Sequence, residues 1–550
     1  MKATNFKLFP TIITIILFSF LINGINSSKC GSDKLKLNLG VINVPNDSKR
    51  NLATEYTGIK IIVDYTSFKK PDSMSNDVYN KVKELIDETT KEFSKFLKIQ
   101  HQDVILYENI IKTECDVNAI DNNYANFLKD NDLVIFPSFD YPLEEYVLAA
   151  AKACLVTSNT YRPCAGNLYI NPNLSFDMKN TDLYIKHLFL HEMTHIFIFH
   201  PTLLDYYGML SYKIENKKIK DISVKSPKVL EKARKHFNCY SLKGLPLENQ
   251  GGSGSAGFHW EQRFMLGDYM ISSLYMDNVL SDITLALFED SGFYKVDYDA
   301  AELFKFGKDK GCDFFNKNCI NNGEVLFKDE FCMNNGEPMC SQSRTSKGEC
   351  MVYNYSIYNI SIPLQYQFFD DPYLGGYPYT DFCPISENDE NITITTNNYL
   401  PTSCNSGLSE LPLEYGEKIG KNSFCFISSL LPLSSNSEIK SKAICYEVEC
   451  DDKNKQIIVH IGNNAIKCPT NGGIITVSEF KGEINCPKYV DICNFKNNKI
   501  CNEMFDCIDR KDNKNNNKDK QMNSLLNDDD NLGKYIKINF CFIILYLLFN

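Results

Sequence analysis

Apolar residues recur at helical spacing from 75 to 97, where Val82, Leu85, Ile86, Phe93, Phe96 and Leu97 fall on one stripe. Such a stripe predicts an amphipathic helix with one face against a core. Just before it, 59–63 is a short β-branched apolar run suited to a buried strand, and 133–136 and 168–170 predict two more. Residues 149–153 are apolar and alanine-rich, a run too short for its period to separate helix from strand. From 182 to 199 the helical pattern is apolar almost all round, which marks a helix for the interior. Residues 213–235 are charged and mostly basic, with helix expected toward Ala233; 248–257 is glycine-rich, and 284–288 is helical again. Beyond Gly311 the periodic segments give way to turns and closely spaced cysteines, read here as a separate disulfide-stapled domain to about Asn494. The stretch 509–534 is Asn, Asp and Lys without an aromatic residue, a composition that cannot bury enough surface to fold.

Composition narrows the classes. A net charge of −11 over 550 residues leaves no basic footprint, which argues against nucleic acid as a partner. Twenty-one cysteines without any C-x-x-C pair indicate disulfides rather than zinc knuckles, hence an oxidising compartment. Lys2 and Lys7 precede an apolar run over 8–22 and then small and polar residues, the order of a signal peptide, assigned to 1–26. At the other end 538–549 is almost wholly apolar. About 12 residues are too few for a bilayer that takes roughly 20. Small and polar residues upstream, at Asn523, Ser524 and 527–530, complete the pattern of a GPI-attachment signal; the alternative is a buried terminal strand. Sequons at Asn173, Asn354, Asn359 and Asn391 fit a glycosylated surface.

The chemistry lies in His191-Glu192-Met193-Thr194-His195, an H-E-x-x-H pattern on the interior helix. Residues four apart share a helix face, so both imidazoles can reach one ion, while Glu192 can take a proton from metal-activated water. A catalytic zinc site keeps three protein ligands and one open position. The compact pattern with a glycine three residues on and a histidine six on fails, because Ile198 and Pro201 stand there. His200 is offset by one residue, and Glu231 is an acidic alternative on a later segment. The better candidate is His259, which ends the glycine-rich run 251–257 and precedes Trp260, the chain's one tryptophan. Glycines there allow a tight bend closed to other residues.

These stretches resemble the leishmanolysin family: His191-Glu-Met-Thr-His195, the run into Phe258-His259-Trp260, and Met270 in Asp268-Tyr269-Met270. The similarity continues through 287–294, Gly311-Cys312, 366–371, 381–384 and 486–493. The resemblance implies an α+β chain: a metzincin-type catalytic domain with a twisted sheet and the H-E-x-x-H helix, a central insertion, and a disulfide-rich, mostly β or irregular C-terminal domain. The corresponding divisions are a pro-segment at 27–52, catalytic residues 53–205, insertion and third ligand 206–305, cysteine-rich domain 306–495, linker 496–534 and tail 535–550. It implies one Zn2+ held by His191, His195 and His259, Glu192 as base, and Met270 as the floor beneath the metal. It implies an endopeptidase acting on proteins or peptides, made as a zymogen and anchored at the cell surface through lipid. The rival readings are a catalytically inactive relative serving adhesion or binding, and a structural ectodomain with an accidental motif.

Two positions depart from the family pattern. Its glycine after the helix is Ile198 here, so the helix must end without a left-handed residue, a conformation costly for a β-branched side chain. Its pro-segment cysteine lies between histidines, where this chain has Lys29-Cys30-Gly-Ser-Asp33. Loss of Cys541 with the tail leaves 20 cysteines, and cleavage beyond Lys49-Arg50 would leave 19, an odd number. Cys30 is therefore a candidate zymogen thiol, against the alternative of an ordinary disulfide.

Overall fold

A computed structural model describes residues 29–30, 39–42 and 55–493, apart from 103, 105, 121–130, 140–146, 173–180, 216–217, 251–256, 276, 388–402, 405–415 and 463. The signal peptide, linker and tail, and the sequons at Asn173 and Asn391, lie outside these residues.

The first sheet takes β1 (Lys29–Cys30), β2 (Gly40–Ile42), β3 (Ile61–Val63), β4 (Leu133–Ser138), β5 (Val147–Thr157) and β6 (Pro163–Ile170). Its order is β1-β5-β6-β4-β3, with β2 also on β5. β6, β4 and β3 run parallel, β5 runs antiparallel to β6, and β1 and β2 lie parallel to β5 on its other edge. Residues 149–153 thus resolve as the middle of a long strand. Buried almost throughout, they have helix-forming alanines overridden by tertiary packing.

Two helices pack on this sheet. Helix α1 (Asn76–Phe96) is capped by Ser75, whose hydroxyl accepts the Val78 N–H, and buries Val82, Leu85, Ile86, Phe93 and Phe96 as the apolar stripe requires. Helix α2 (Thr181–Phe197) carries the H-E-x-x-H motif and lies against β5 and β6, with Phe197 stacked 4.4 Å from Phe93. Gly166 on β6 makes the approach possible: a Cβ there would meet Ile196 Cγ2 at 2.4 Å and the Lys152 carbonyl at 2.9 Å. Ile198, fully buried, takes no positive φ. The helix end is closed by Ile198 N–H and Phe199 N–H, both donating to the Thr194 carbonyl at 3.0 Å, so the side chain meets no left-handed strain.

The short helix α3 (Pro201–Tyr206) leads into the hairpin β7 (Leu210–Glu215) and β8 (Lys218–Val224), then α4 (Pro227–Phe237) and β9 (Leu245–Pro246). The helix around Ala233 is present, but half of the charged stretch before it forms strands. Helix α5 (Asp282–Asp290) packs on α4.

The core does not break where the cysteine spacing changes. Phe314, Phe327, Phe331, Cys383 and Ile385 belong to the same buried cluster as α1 and α2, since Phe314 lies edge-on to Phe327 and stacks on Phe237 and Phe331. Disulfides Cys239–Cys312 and Cys319–Cys383 fasten this region. A second core begins only with the six-stranded antiparallel sheet formed within 423–486, around Phe426, Tyr446, Val459 and Ile484. Eight disulfides pair every described cysteine from 115 to 493 except Cys164, which is buried with a free thiol. The chain is therefore a disulfide-rich mixture of helix and strand. No helix among the described residues is long and apolar enough to cross a membrane.

Candidate metal centre

Helix periodicity brings His191 and His195 to one face of α2, and both are buried. His191 Nδ1 lies 2.6 Å from the Tyr269 carbonyl, and His195 Nδ1 lies 2.6 Å from the Phe199 carbonyl. A carbonyl only accepts, so each Nδ1 carries the proton and each Nε2 keeps a lone pair. The two Nε2 atoms face one another at 3.2 Å. Two lone pairs that close repel unless a cation lies between them. Tetrahedral donors about 2.0–2.1 Å from a shared zinc would lie about 3.3 Å apart, so the spacing fits that ion. Backbone carbonyls on the far nitrogens are the customary outer partners of metal-bound histidines.

His259 completes the set. Its ring centroid is 5.2 Å from that of His191 and 5.1 Å from that of His195, and neither of its nitrogens has a hydrogen-bond partner. One donor atom from each of the three lies within 4.8 Å of the others, the sole such group among the described residues. Burial pushes His191 down to about 4. Burial, reinforced by the neighbouring imidazoles, holds His195 and His259 well below the ordinary value. All three are neutral near pH 7, the state a metal ligand needs. Glu192, next to His191, is fully buried on the same helix.

The other candidates stand elsewhere. His200 caps α3, its Nδ1 accepting the Thr202 N–H, and lies edge-on to Phe258 rather than in the cluster. Glu231 is 64% exposed on α4 beside Lys228. Cys30 pairs with Ala149 in the β1–β5 ladder; its side chain lies outside the description.

His259 reaches the cluster along a backbone ladder. Leu247 N–H donates to the Ile222 carbonyl, Leu247 bridges Trp260, and Trp260 bridges Ile271. Trp260 N–H also donates to the Met270 carbonyl at 3.0 Å, tying the His259 segment to the turn at Met270. That turn is fixed by Asp268, which sequence inspection passed over. Its carboxylate accepts the Met270 N–H and the Ser281 and Thr284 hydroxyls, while Thr284 accepts the Trp260 indole N–H. Tyr269 was also missed: its carbonyl orients His191, and its hydroxyl donates to Thr194, whose own proton goes to the Leu190 carbonyl. The one signal was position, Asp268 and Tyr269 standing beside Met270 and Ser281 opening a helix.

A neutral triple-histidine cluster, two of its members on an H-E-x-x-H helix, inside a disulfide-tied mixed α and β chain, has the form of the metallopeptidase class. Residues 66–499 match the family model of leishmanolysin, peptidase M8, and the chain belongs to that family. It is similar to leishmanolysin of Leishmania chagasi, 31% identical over 382 residues, covering 66% of this chain and 60% of that one. Leishmanolysin of Leishmania major is 28% identical over 433 residues, covering 75% and 68%. A leishmanolysin-like peptidase of Drosophila melanogaster is 28% identical over 315 residues, covering 50% and 44%.

Proposed function

We propose that this chain is a zinc-dependent endopeptidase of metzincin type, with His191, His195 and His259 as ligands of one Zn2+ and Glu192 as the general base. The convergence of buried imidazole lone pairs carries the reading. Zinc bound there supplies Lewis-acid activation of water and polarises the scissile carbonyl. Glu192 accepts the proton of the attacking water and returns it to the leaving amine. Met270 forms the apolar floor, and the Asp268 network holds that floor and the His259 segment in one piece. The substrate is an extended stretch of protein or peptide.

Metal analysis with a casein-cleavage assay tests this. The expectation is one zinc per chain and cleavage abolished by phenanthroline. Glu192→Ala should keep zinc and fold while losing activity by about 10²–10⁴-fold. Retained activity refutes the base, and a zinc-loaded wild type inert on denatured protein favours the binding-protein reading.

The same reading places the protein in the secretory pathway, processed at a signal peptide and held at the cell surface through a lipid anchor. The disulfides suit that route. Asn354 and Asn359 are exposed and open to glycan attachment. Cys30 remains the candidate zymogen thiol. Cys164, the free described thiol, lies on β6 opposite Leu155 and Val156 at the end of β5, whereas β1 pairs at Ala149. Six residues of strand are ~20 Å, too far for a bond between Cys30 and Cys164.

A further inference from the structure

His259 is held differently on its two sides. Downstream, Trp260 is fixed by its backbone N–H on Met270 and its indole N–H on Thr284. Upstream stands the run 251–257, made of glycine, serine and alanine, with little side chain to pack. Its course is set at the neck, where Glu248 N–H donates to the His259 carbonyl and Gly257 N–H donates to the Glu248 carbonyl, both at 2.9 Å. Gln250 ties this neck outward. Its backbone N–H donates to Glu248 Oε1 at 2.8 Å, and its side-chain amide donates at 3.0 Å to Asp381, 131 residues further along the chain. The Tyr366 hydroxyl points into the same group, 3.5 Å from Asn249 Oδ1.

Asp381 reaches Gln250 from a turn under strain. Asp381 and Phe382 both take left-handed φ, 53° and 60°, a region that aspartate tolerates and a bulky ring does not. The turn is closed tightly around them. Gly376 N–H donates to the Phe382 carbonyl at 2.7 Å, and a Cβ on Gly376 would strike the Cys383 carbonyl oxygen at 2.2 Å. Cys383 is bonded to Cys319, and the buried Thr380 hydroxyl lies 2.8 Å from the carbonyls of both Tyr377 and Cys383. The Phe382 ring sits 5.6 Å from that of Tyr355 and 5.8 Å from that of Tyr366. Strain of this kind persists only where the surroundings over-determine it, and it gathers where a group has to be aimed. The group aimed by this turn is the Asp381 carboxylate.

We propose that Asp381 is a positioning residue for the metal centre: through Gln250 it fixes the upstream side of the segment that ends in His259. The cysteine-rich region thereby sets the geometry of the cluster from outside the H-E-x-x-H helix. The inference rests on the zinc reading and adds to it a group that ligates nothing. Gln250 carries the effect, holding Asp381 with its side chain and, with its backbone, the residue whose own backbone closes on His259. Without that hold His191 and His195 keep their places on α2, while His259 settles away from the tetrahedral direction. The ion is then bound more loosely rather than lost.

The test compares the full chain, loaded with Zn2+ or with Co2+ as a spectroscopic probe, with Asp381→Ala, Gln250→Ala, the pair of them, and the conservative Asp381→Asn. Asp381→Ala should shift the visible absorption of bound Co2+ and lower kcat on casein at nearly unchanged KM. It should also speed zinc release to a chelator roughly ten-fold. Gln250→Ala should do the same, and the double variant should be no worse than either single one. Asp381→Asn should match the wild type in every measurement, because its amide oxygen still accepts from Gln250 and asparagine tolerates a left-handed φ. An unaltered Co2+ spectrum and zinc release in Asp381→Ala, additive losses in the double variant, or equal impairment in Asp381→Asn would each overturn the inference. Should Asp381→Ala fail to fold, Gln250→Ala, which leaves the strained turn untouched, is judged by the same criteria. If the wild type takes up neither ion, the zinc reading fails, and hydrogen exchange of residues 245–260 in the metal-free chain decides the positioning. Faster exchange in Asp381→Ala and Gln250→Ala, restored in Asp381→Asn, upholds it; unchanged exchange overturns it.

Discussion

One added methyl group at Gly166 should disturb the metal centre from the far side of its helix. In Gly166→Ala the new Cβ would lie 2.4 Å from Ile196 Cγ2, 3.0 Å from Ile196 Cδ1 and 2.9 Å from the Lys152 carbonyl. The carbonyl belongs to β5, paired on both edges, so the element that yields is α2. Overpacking of this kind costs about 1–3 kcal/mol. Ile196 adjoins His195, so the displacement reaches the ligand, and zinc affinity should fall by about ten-fold. Ile196→Ala alone leaves a cavity worth about 2–5 kcal/mol, and in the double variant the new methyl moves into that space. The double variant should therefore be more stable than the sum of the two losses predicts, by about 1 kcal/mol or more. Urea unfolding of the zinc-free, disulfide-intact chain measures the stability terms, and chelator competition measures zinc affinity. An unchanged midpoint for Gly166→Ala, or strict additivity in the double variant, would refute the packing argument.

Tyr269→Phe removes the hydroxyl that donates to Thr194 but keeps the carbonyl that orients His191. Stability should fall by about 0.5–1.5 kcal/mol with zinc affinity nearly unchanged, and a large loss of affinity in a chelator titration would contradict the assigned contacts. Glu248 is buried, and burial pushes its carboxyl up from 4.5 to about 8. Its contribution to stability is therefore full below the unfolded value and is lost as pH rises from about 4.5 to about 8, with a slope approaching ~1.4 kcal/mol per pH unit. Glu248→Gln should flatten the urea midpoint of the zinc-free chain between pH 5 and 8, and parallel profiles would exclude Glu248 as the cause. Zinc at ~1,000 times its dissociation constant should stabilise the wild type by about 4 kcal/mol, and His259→Ala should lose that increment. If His259→Ala keeps it while His200→Ala does not, the third ligand is misassigned.

The two histidines of α2 were legible because helix geometry converts a spacing of four into a shared face. His259 was legible because glycines ending in a lone His-Trp are poor linker. Helix α1 followed its apolar stripe to within a residue at each end. β5 was not legible, since alanine favours helix and burial on both faces removes the alternation that marks a strand. The β7–β8 hairpin was hidden by its charge: four of the six residues of β7 are exposed, and cross-strand backbone bonds rather than apolar burial hold it. Asp268 and Tyr269 act through backbone groups of partners remote in sequence, and such contacts leave no periodic trace. The continuation of the core through Phe314 and Phe331 was obscured by cysteines that punctuate the aromatic residues around them.

The Ile222–Leu247–Trp260–Ile271 ladder separates the geometry of the metal centre from the length of chain that supplies it. His259 is delivered by strand register, the way a tooth is set by its rack, so the number of residues between α2 and His259 is free to vary. The interval now houses α3, a charged hairpin and α4, none of which provides a member of the histidine cluster. It works as a modular bay beside a fixed centre. Segments of other lengths and surfaces could be exchanged there as long as β8 keeps the Ile222 rung of the ladder, and the three imidazoles would still close on the same point.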